Sequence, residues 1–279
     1  MPVCAVIVSY NTGAALGACL EALARAQGLD EIILVDNGNP PAETQTLDAF
    51  VASNAHARLV RGQGNVGFAA ACNLGARAGS GGVLAFINPD VALAADAIPR
   101  LADALRSARA PAIVGGDLRD SAGLPDRGSR RDRLTLWRLI VSFSGLSKLE
   151  HVAPIFRDFN RHTDPLPAQP VRVGAISGAL MIMRRADFEA LDGFDEGYFV
   201  HVEDVDLCRR AEQAGGEVRF APGPHGVHQR SSSETPTRVI ARHKAESMAR
   251  YLRKFARGPI DGALASLAGA VLLMITPRA

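Results

Sequence analysis

The sequence has few of the features that mark several common functional classes. Only 5% of its residues are aromatic, and no basic stripe is interleaved with them, which argues against a nucleic-acid-binding protein. The net charge of +2 gives no strong long-range attraction for a polyanion. The first apolar run continues as Ser9-Tyr10-Asn11-Thr12-Gly13 and not as G-x-G-x-x-G, which disfavours a dinucleotide-dependent dehydrogenase on a Rossmann sheet.

Cysteines and targeting signals are also scarce. The four cysteines are Cys4, Cys19, Cys72 and Cys208, and no two of them have zinc-ligand spacing. They are therefore expected to be buried and reduced. The apolar run 3–8 opens the chain without a basic start or a cleavage site, which predicts no signal peptide and a catalytic part that faces the cytoplasm.

The end of the chain is apolar but short. Residues 262–275 are almost uncharged and fall below the roughly 20 residues that span a bilayer. Residues 258–279 are treated as an apolar C-terminal tail. We expect a helix that packs on the domain or lies peripherally on the inner face of the cell membrane, rather than a membrane span.

Apolar runs alternate with helical segments through the first half of the chain. The expected strands are 3–8, 31–35, 58–60 and 83–87, and the helices that follow them are 14–26, 44–52, 66–78 and 94–108. This rhythm predicts an α/β fold with a doubly wound, mostly parallel central sheet flanked by helices. Ligands bind at the carboxyl ends of such strands. Polar residues follow these ends, in Ser9-Tyr10-Asn11, Asp36-Asn37-Gly38-Asn39, Arg61-Gly62-Gln63-Gly64-Asn65 and Asn88-Pro89-Asp90.

Residues 119–170 break the alternation with Gly, Pro and Arg. They predict a mobile loop that leads to a basic amphipathic helix near 134–140, which contains Trp137. Two interpretations are open. The helix is a flap that contacts a membrane surface or an acceptor, with Trp137 as anchor, or it is an ordinary packed helix.

Acids are concentrated at Glu203, Asp204 and Asp206. They are expected in the first turn of a helix, where negative charge favours the helix dipole without any chemistry. The Gly- and aromatic-rich segment 193–199 before them can instead present a carboxylate beside an acceptor. Helical spacing lets Asp204 face a cleft, while Asp206 is expected to cap or support the helix.

Asp90 and His228 are candidate metal ligands. Asp90 follows the strand 83–87, where a carboxylate can hold a divalent ion against a diphosphate. The alternative is that Asp90 caps the helix expected from residue 94. His228 follows a last strand and offers an imidazole as a second ligand. His225 is the alternative ligand, and simple exposure is the alternative for a loop histidine.

Taken in order, these motifs resemble glycosyltransferase family 2, which has the GT-A fold, and especially its bacterial rhamnosyltransferase-like members. The resemblance covers residues 1–257, with a nucleotide-sugar half of about 1–118 and an elaborated acceptor and catalytic half of about 119–257. The matching motifs are Val8-Ser9-Tyr10-Asn11, Val35-Asp36-Asn37-Gly38, Asn65-Val66-Gly67-Phe68-Ala69-Ala70-Ala71-Cys72-Asn73, Ile87-Asn88-Pro89-Asp90, Ser177-Gly178-Ala179, Gly193-Phe194-Asp195-Glu196, Glu203-Asp204-Val205-Asp206-Leu207 and His228. Many relatives carry Asp-x-Asp where this chain has Asn88-Pro89-Asp90, which implies a modest metal affinity.

The resemblance implies a role for each candidate residue. Asp204 is the catalytic base, and Asp90 and His228 hold Mg²⁺ or Mn²⁺ on the diphosphate. The implied acceptor-side residues are Gly178, Phe199 and Glu203. The implied donor-binding residues are Ser9, Tyr10, Asn11, Asp36, Asn65, Phe68, Asn88 and Asp90.

The implied activity is an inverting sugar transfer. The favoured donor is dTDP-rhamnose, with UDP-sugars next, and the acceptor is a hydroxyl of a cell-envelope glycan or of a polyprenyl-lipid-linked sugar. The alternative is an inactive relative that binds a nucleotide-sugar or serves as a scaffold. The active-enzyme hypothesis requires that Asp90, Asp204 and His228 border one cavity.

Overall fold

The computed structural model describes residues 1–229 and 236–276. The strands are β1 Val3–Ser9, β2 Glu31–Asp36, β3 Ala57–Val60, β4 Val83–Ile87, β5 Val91–Leu93, β6 Ala112–Arg119, β7 Arg130–Arg131, β8 Val171–Arg172, β9 Ala175–Ile176, β10 Leu180–Arg184 and β11 Glu217–His228. The helices are α1 Ala15–Arg25, α2 Pro41–Ser53, α3 Phe68–Ala78, α4 Ala97–Arg106, α5 Leu136–Ser144, α6 Arg185–Ala190, α7 Glu203–Gln213, α8 Thr237–Lys254 and α9 Gly258–Ile275. Short 3₁₀ turns occupy Leu146–Leu149 and Pro154–Phe156.

A nine-stranded sheet forms the centre, in the order β3-β2-β1-β4-β10-β6-β11-β5, with β8 paired to β11. Within the described residues, β1, β2, β3, β4, β6 and β11 run in one direction, and β5, β8 and β10 run in the other. The predicted α/β class with a mostly parallel central sheet is therefore confirmed. Strands β7 and β9 form a separate two-stranded sheet.

The central strands are buried on both faces. Along β1, Cys4 and Val6 pack with α3 and α7 on one side, while Ala5 and Ile7 pack with α1 and α4 on the other. Strands covered by helices on both faces read as continuous apolar runs, which explains why these strands were readable from sequence. All four cysteines are free and buried, as expected.

Strand β5 corrects one interpretation of Asp90. Val91–Leu93 follows Asp90 directly and pairs antiparallel with β11, so the predicted helix 94–108 begins only at Ala97. Asp90 therefore lies at the start of a strand and does not cap that helix. The sequence analysis also missed β6, whose apolar pattern is interrupted by Gly115 and Gly116.

The segment 119–170 contains more regular structure than a loop. The predicted helix is present as α5, and it begins at Leu136 because the Thr135 hydroxyl accepts the Arg138 N–H. The Trp137 indole N–H donates to the Ile155 carbonyl at 2.9 Å, so its polar edge faces the protein. Ile140 and Phe143 of the same helix are exposed.

Helix α9 contains most of the predicted tail. Its Gly269 lies against Ala249 of α8, and Ala265 is buried, so small residues hold it against the domain. Its exposed large side chains are Ile260, Leu264, Leu267, Val271, Met274 and Ile275. By length and composition alone, α9 could cross a membrane, a test that some core helices of soluble proteins also pass.

Candidate active site

A cavity of about 1080 Å³ opens at the carboxyl ends of β1 and β4. Ten of the residues predicted from sequence line it, namely Tyr10, Asn65, Phe68, Asn88, Asp90, Gly178, Phe199, Glu203, Asp204 and His228. Asp90, Asp204 and His228 thus border one space, as the active-enzyme hypothesis requires.

Ser9, Asn11 and Asp36 are not among the described residues that line the cavity. The Asp36 carboxylate accepts the backbone N–H of Asn39 and the hydroxyl of Thr44. The Asn39 side chain in turn accepts from the backbone N–H of Asn11 and lies 3.2 Å from the Ser9 hydroxyl. These three residues build the loops behind the cavity, and their predicted contact with a donor stays a prediction.

The donor-side and acceptor-side loops meet at Gly67. Its φ is +86°, and a Cβ there would lie 2.6 Å from the Phe199 carbonyl oxygen, so only glycine fits. The next N–H, of Phe68, donates to the same carbonyl at 2.7 Å. Asn37 joins this junction by donating to the Asn65 side chain at 3.1 Å. The position of Phe199 is therefore tied to that of Asn65 and Phe68.

Backbone strain precedes the acidic helix α7. His201 and Val202 have φ values of +66° and +73°, and a β-branched residue rarely adopts that conformation. The turn they form sends Glu203 and Asp204 into the cavity instead of leaving them at an exposed helix end. Strain of this kind persists where the surrounding structure requires it, and it is frequent at functional sites.

Asp204 is held by three hydrogen-bond or ion-pair donors. Its Oδ2 accepts the Gly178 N–H at 2.9 Å and lies 3.2 Å from a guanidinium nitrogen of Arg131, while Oδ1 accepts the Val205 N–H at 2.8 Å. Gly178 leaves room for this contact, since a Cβ there would lie 3.2 Å from the Asp204 Cβ. The carboxylate is therefore fixed in direction at the cavity wall.

Glu203 is buried beside Asp204. Its Oε2 has no hydrogen-bond partner within residues 1–229 and 236–276. Burial first, and then the charge of Asp204, raises the pKa of Glu203 well above its usual range. This environment favours the neutral form of Glu203 next to the Asp204 side chain.

Asp206 points away from this pair and supports the helix, as predicted. It is fully buried, and its two oxygens lie 2.6 Å from Arg210 Nε and 2.6 Å from Lys254 Nζ. The Tyr198 hydroxyl also donates to it. Lys254 belongs to α8, so this buried carboxylate links α7 to α8.

His228, and not His225, faces the cavity among the described residues. His228 Nε2 lies 3.2 Å from Asp90 Oδ1, and Nδ1 lies 2.8 Å from Asp126 Oδ2. Burial lowers the pKa of His228, but the hydrogen bonds to Asp126 and Asp90 outweigh it and raise the pKa to about 9. His225 is buried elsewhere, where its Nδ1 accepts the Asp117 N–H.

Asp90 and His228 fit a divalent cation. Neighbouring ligands of an octahedral ion at about 2.1 Å lie about 3 Å apart, close to the separation of Asp90 Oδ1 and His228 Nε2. Because a carboxylate only accepts, Asp126 keeps the proton on Nδ1 and leaves Nε2 as the ligand nitrogen. A cation between Asp90 and His228 would replace the second imidazole proton. Within the described residues no group of three or more His, Cys, Asp or Glu side chains could hold a metal ion, so other oxygen ligands would have to complete the shell.

Four site residues escaped the sequence analysis. Arg131 was hidden in a run of arginines that predicted only a basic loop, and Asp126 carried no signal at all. His243 and Lys244 lie on α8 and line the cavity, and the His243 ring stacks on Phe199 with centroids 4.5 Å apart. No local pattern places α8 against the loop of Phe199.

Two rhamnosyltransferases are similar to this chain in amino-acid sequence. An N-acetylglucosaminyl-diphospho-decaprenol L-rhamnosyltransferase of Mycobacterium tuberculosis is 29% identical over 256 residues, which cover 86% of this chain and 81% of the relative. Rhamnosyltransferase WbbL of Escherichia coli is 42% identical over 52 residues, only 19% of this chain and 20% of that protein.

Solved structures share the fold at low sequence identity. GalNAc-T7 with UDP, GalNAc and Mn²⁺ superposes with a TM-score of 0.64 at 17% identity, covering 97% of this chain and 55% of that chain. The mannosyltransferase PcManGT of Pyrobaculum calidifontis, solved with GDP-Man and Mn²⁺, gives 0.58 at 15% identity, covering 98% and 74%. These neighbours have the GT-A fold, as this chain does.

Family models agree with the motifs and with the fold. The model described as N-terminal domain of galactosyltransferase matches residues 167–233. The model described as Glycosyl transferase family 2 matches residues 4–191, about two thirds of the chain. The chain therefore belongs to glycosyltransferase family 2 and is a glycosyltransferase similar to rhamnosyltransferases.

Proposed function

We propose that the protein transfers rhamnose from dTDP-rhamnose, with inversion, to a hydroxyl of a cell-envelope glycan or of a polyprenyl-lipid-linked sugar. The observation that carries this proposal is the convergence of Asp90, Asp204 and His228 on one cavity. The name of the Mycobacterium tuberculosis relative supports both the sugar and a lipid diphosphate acceptor.

In the proposed reaction, Asp204 removes the proton of the acceptor hydroxyl while that oxygen attacks the anomeric carbon of the donor. The nucleoside diphosphate leaves from the opposite face in the same displacement, so the configuration inverts. The N–H groups of Gly178 and Val205 hold Asp204 in place. Mg²⁺ or Mn²⁺ held by Asp90 and His228 would neutralise the charge that develops on the departing diphosphate.

Residues on the two sides of the cavity are assigned different roles. Tyr10, Asn65, Phe68 and Asn88 follow strand ends on the side of β1 and β4, and we assign them to the donor. The loops of Ser9, Asn11 and Asp36 support these residues from behind. Gly178, Phe199 and Glu203 lie beside Asp204 and are assigned to the acceptor side.

A panel of nucleotide-sugars tests the proposed donor. Purified protein is incubated with each donor and Mg²⁺ or Mn²⁺, with EDTA as control, and both hydrolysis and thermal unfolding are measured. A ligand at 100 times its Kd stabilises the fold by about 2.7 kcal/mol, which such a scan detects readily. We expect dTDP-rhamnose to give the largest shift. Stabilisation only by a UDP-sugar would overturn the rhamnose assignment, and no response to any donor would favour the inactive-relative alternative.

Asp126→Asn tests how His228 is oriented. The amide can donate to Nδ1 and so favours the wrong tautomer, with the proton on Nε2. We expect affinity for Mn²⁺ to fall by about 10- to 100-fold, the usual effect of losing such a partner. The measurement is a Mn²⁺ titration followed by electron paramagnetic resonance in the presence of dTDP. Unchanged affinity, with unfolding temperature also unchanged, would contradict the proposed role of His228.

We also propose peripheral contact between α9 and the inner face of the cell membrane. The helix exposes an apolar surface at Leu264, Leu267 and Met274, and the exposed cations Arg253 and Arg257 lie where α8 passes into α9. Apolar side chains that enter the acyl boundary next to cations that meet anionic headgroups are typical of interfacial helices. A lipid-linked acceptor would then be reached at the surface where it resides.

Vesicle binding tests this contact. Leu267→Glu removes one large exposed side chain and adds a charge, so we expect the partition coefficient on anionic lipid vesicles to fall by about 10-fold or more. Ser266→Glu adds the same charge at a polar position and serves as the control. Equal binding by Leu267→Glu and the unmodified protein would refute the contact, whereas resistance to an alkaline carbonate wash would show a spanning helix.

A further inference from the structure

We propose that Arg131 is a latch on Asp204 that the phosphate of an anionic, lipid-linked acceptor releases. This inference rests on the proposed function, because it takes Asp204 as the base. It adds an acceptor-recognition residue, the chemistry of the group recognised, and a reason why the base acts only when the acceptor is present.

The latch is the ion pair between Arg131 and Asp204. Arg131 Nη1 lies 3.2 Å from Asp204 Oδ2. The Arg131 side chain is 14% exposed and that of Asp204 is 9% exposed, so water screens the charges of the pair weakly. Asp204 Oδ2 also accepts the Gly178 N–H. The guanidinium neutralises the charge of the Asp204 carboxylate. It also occupies the space beside Oδ2 that an acceptor hydroxyl would need. Arg131 must therefore move before Asp204 can meet an acceptor hydroxyl on that side.

Arg131 is placed where such a movement is feasible. It belongs to β7, which pairs with β9 outside the central sheet. Its guanidinium lies 5.9 Å from the centroid of the Phe159 ring and passes close to Gly128, where a Cβ would lie 2.8 Å from it. A flat cation sliding over an aromatic face keeps a favourable contact throughout, so leaving Asp204 does not leave the guanidinium without a partner.

The same cavity offers an anion a place beside Arg131. Arg127 and Lys244 also line this cavity, and both are exposed. Lys244 and Arg131 both lie close enough to His201 to act on it, since burial first and then these two cations lower the pKa of His201 to about 4. Glu203 and Asp204 are the acids among the described lining residues on this side. Arginine can bind a phosphate through two parallel hydrogen bonds. These bonds would replace the contact with Asp204 that Arg131 gives up.

An apolar wall lies next to these cations. It consists of the lining residues Leu134, Leu139, Phe143, Phe159, Val239, Ile240 and Met248. A free sugar or a polar glycan has no group that matches such a wall, whereas a prenyl diphosphate has both the anion and the apolar chain. The chemistry of the cavity thus selects an isoprenoid diphosphate carrier of the acceptor sugar.

The latch couples binding to chemistry. Without an acceptor, Arg131 keeps Asp204 neutralised, which limits activation of water and wasteful hydrolysis of the donor. When the acceptor phosphate attracts Arg131, Asp204 is released close to the hydroxyl that it must deprotonate. Removing the arginine should therefore weaken acceptor binding and at the same time increase hydrolysis of the donor, a combination that a merely structural role would not produce.

Binding of farnesyl diphosphate in EDTA tests the recognition step, because chelation prevents a cation from holding the probe at the donor end. We expect Arg131→Gln to raise its Kd by about 10- to 100-fold in isothermal titration, the usual range for a charge-assisted contact. Arg133→Gln is the matched control, since Arg133 is half exposed and pairs with Glu212. Farnesol and pyrophosphate, tested separately, show which end of the probe Arg131 senses. Equal Kd values for Arg131→Gln and the unmodified protein, or no binding by the latter, would overturn the proposal.

Kinetics test the latch itself. For a short-chain prenyl N-acetylglucosaminyl diphosphate, we expect Arg131→Gln to lower kcat/KM by about 10- to 100-fold, mainly through KM. For the neutral octyl glycoside of the same sugar, which has no phosphate to release the latch, kcat/KM should rise in Arg131→Gln, and donor hydrolysis should rise as well. Arg131→Lys keeps the positive charge, so it should restore part of the preference for the anionic acceptor over the neutral one. This variant also shows that the effect of Arg131→Gln does not come from misfolding. Equal losses for both acceptors would refute the latch. Failure of the unmodified protein to use any donor would instead refute the proposed function, and the farnesyl diphosphate titration would still decide on Arg131.

Discussion

Asp204→Asn is expected to lower the rate of sugar transfer by about 10²- to 10⁴-fold, the usual effect of removing a general base. The amide keeps the size of the side chain and can still accept the Gly178 N–H, so the cavity retains its shape. It cannot take up the proton of the acceptor hydroxyl. The loss should therefore appear in kcat, with the KM for the donor little changed.

The control for Asp204→Asn is Glu212→Gln. Glu212 lies on the same helix α7, pairs with Arg133, and is not among the described residues that line the cavity. It should retain full activity, and thermal unfolding of both variants shows whether the fold is intact. Activity of Asp204→Asn near that of the unmodified protein, together with an inactive Glu203→Gln, would transfer the role of base to Glu203.

Asp90→Asn is expected to lower kcat by about 10²- to 10³-fold and to abolish the response to added Mg²⁺ or Mn²⁺. Asp90 is the single carboxylate of the Asn88-Pro89-Asp90 segment, so the substitution removes the only negative protein ligand that we propose. A neutral amide oxygen binds a hard cation far more weakly than a carboxylate does. Its loss also removes one of the two acids beside His228.

The measurement for Asp90→Asn is a titration of activity with Mn²⁺ at saturating donor. Asp96→Asn is a suitable control, because Asp96 is exposed, precedes α4, and pairs with Arg100 at the surface. An Asp90→Asn enzyme that keeps its rate and its metal response would show that the cation, if used, is held elsewhere. A normal rate in EDTA for the unmodified protein would show that the transfer is independent of metal.

Much of the fold was readable from sequence because the signal is local. The runs 3–8 and 83–87 are apolar at every position, as strands covered on both faces must be, and the structure has β1 and β4 there. Strand β6 was missed because its residues do not form a continuous apolar run. Gly115 interrupts its pattern, yet a Cβ there would lie 2.5 Å from Ile176, so the glycine serves packing between layers.

The candidate site was readable only in part. The order of motifs selected Asp90, Asp204 and His228, and all three line the cavity. Asp36 belongs to a motif of equal strength, but it is not among the described lining residues and accepts from Asn39 and Thr44, so its predicted contact with a donor stays a prediction. A motif identifies which residues matter to a family, and it does not show whether each faces the ligand or holds the loop that does.

The sequence by itself determined the α/β class, the family and the positions of most elements, because periodicity and motif order depend on neighbours along the chain. Only the tertiary structure decided that His228 meets Asp126, 102 residues away, and that Arg131 closes on Asp204. It also chose His228 over His225 as the histidine beside Asp90. Pairs of this kind depend on how distant loops are brought together by the packed sheet, and polar side chains on loops carry no periodic pattern that predicts their partners.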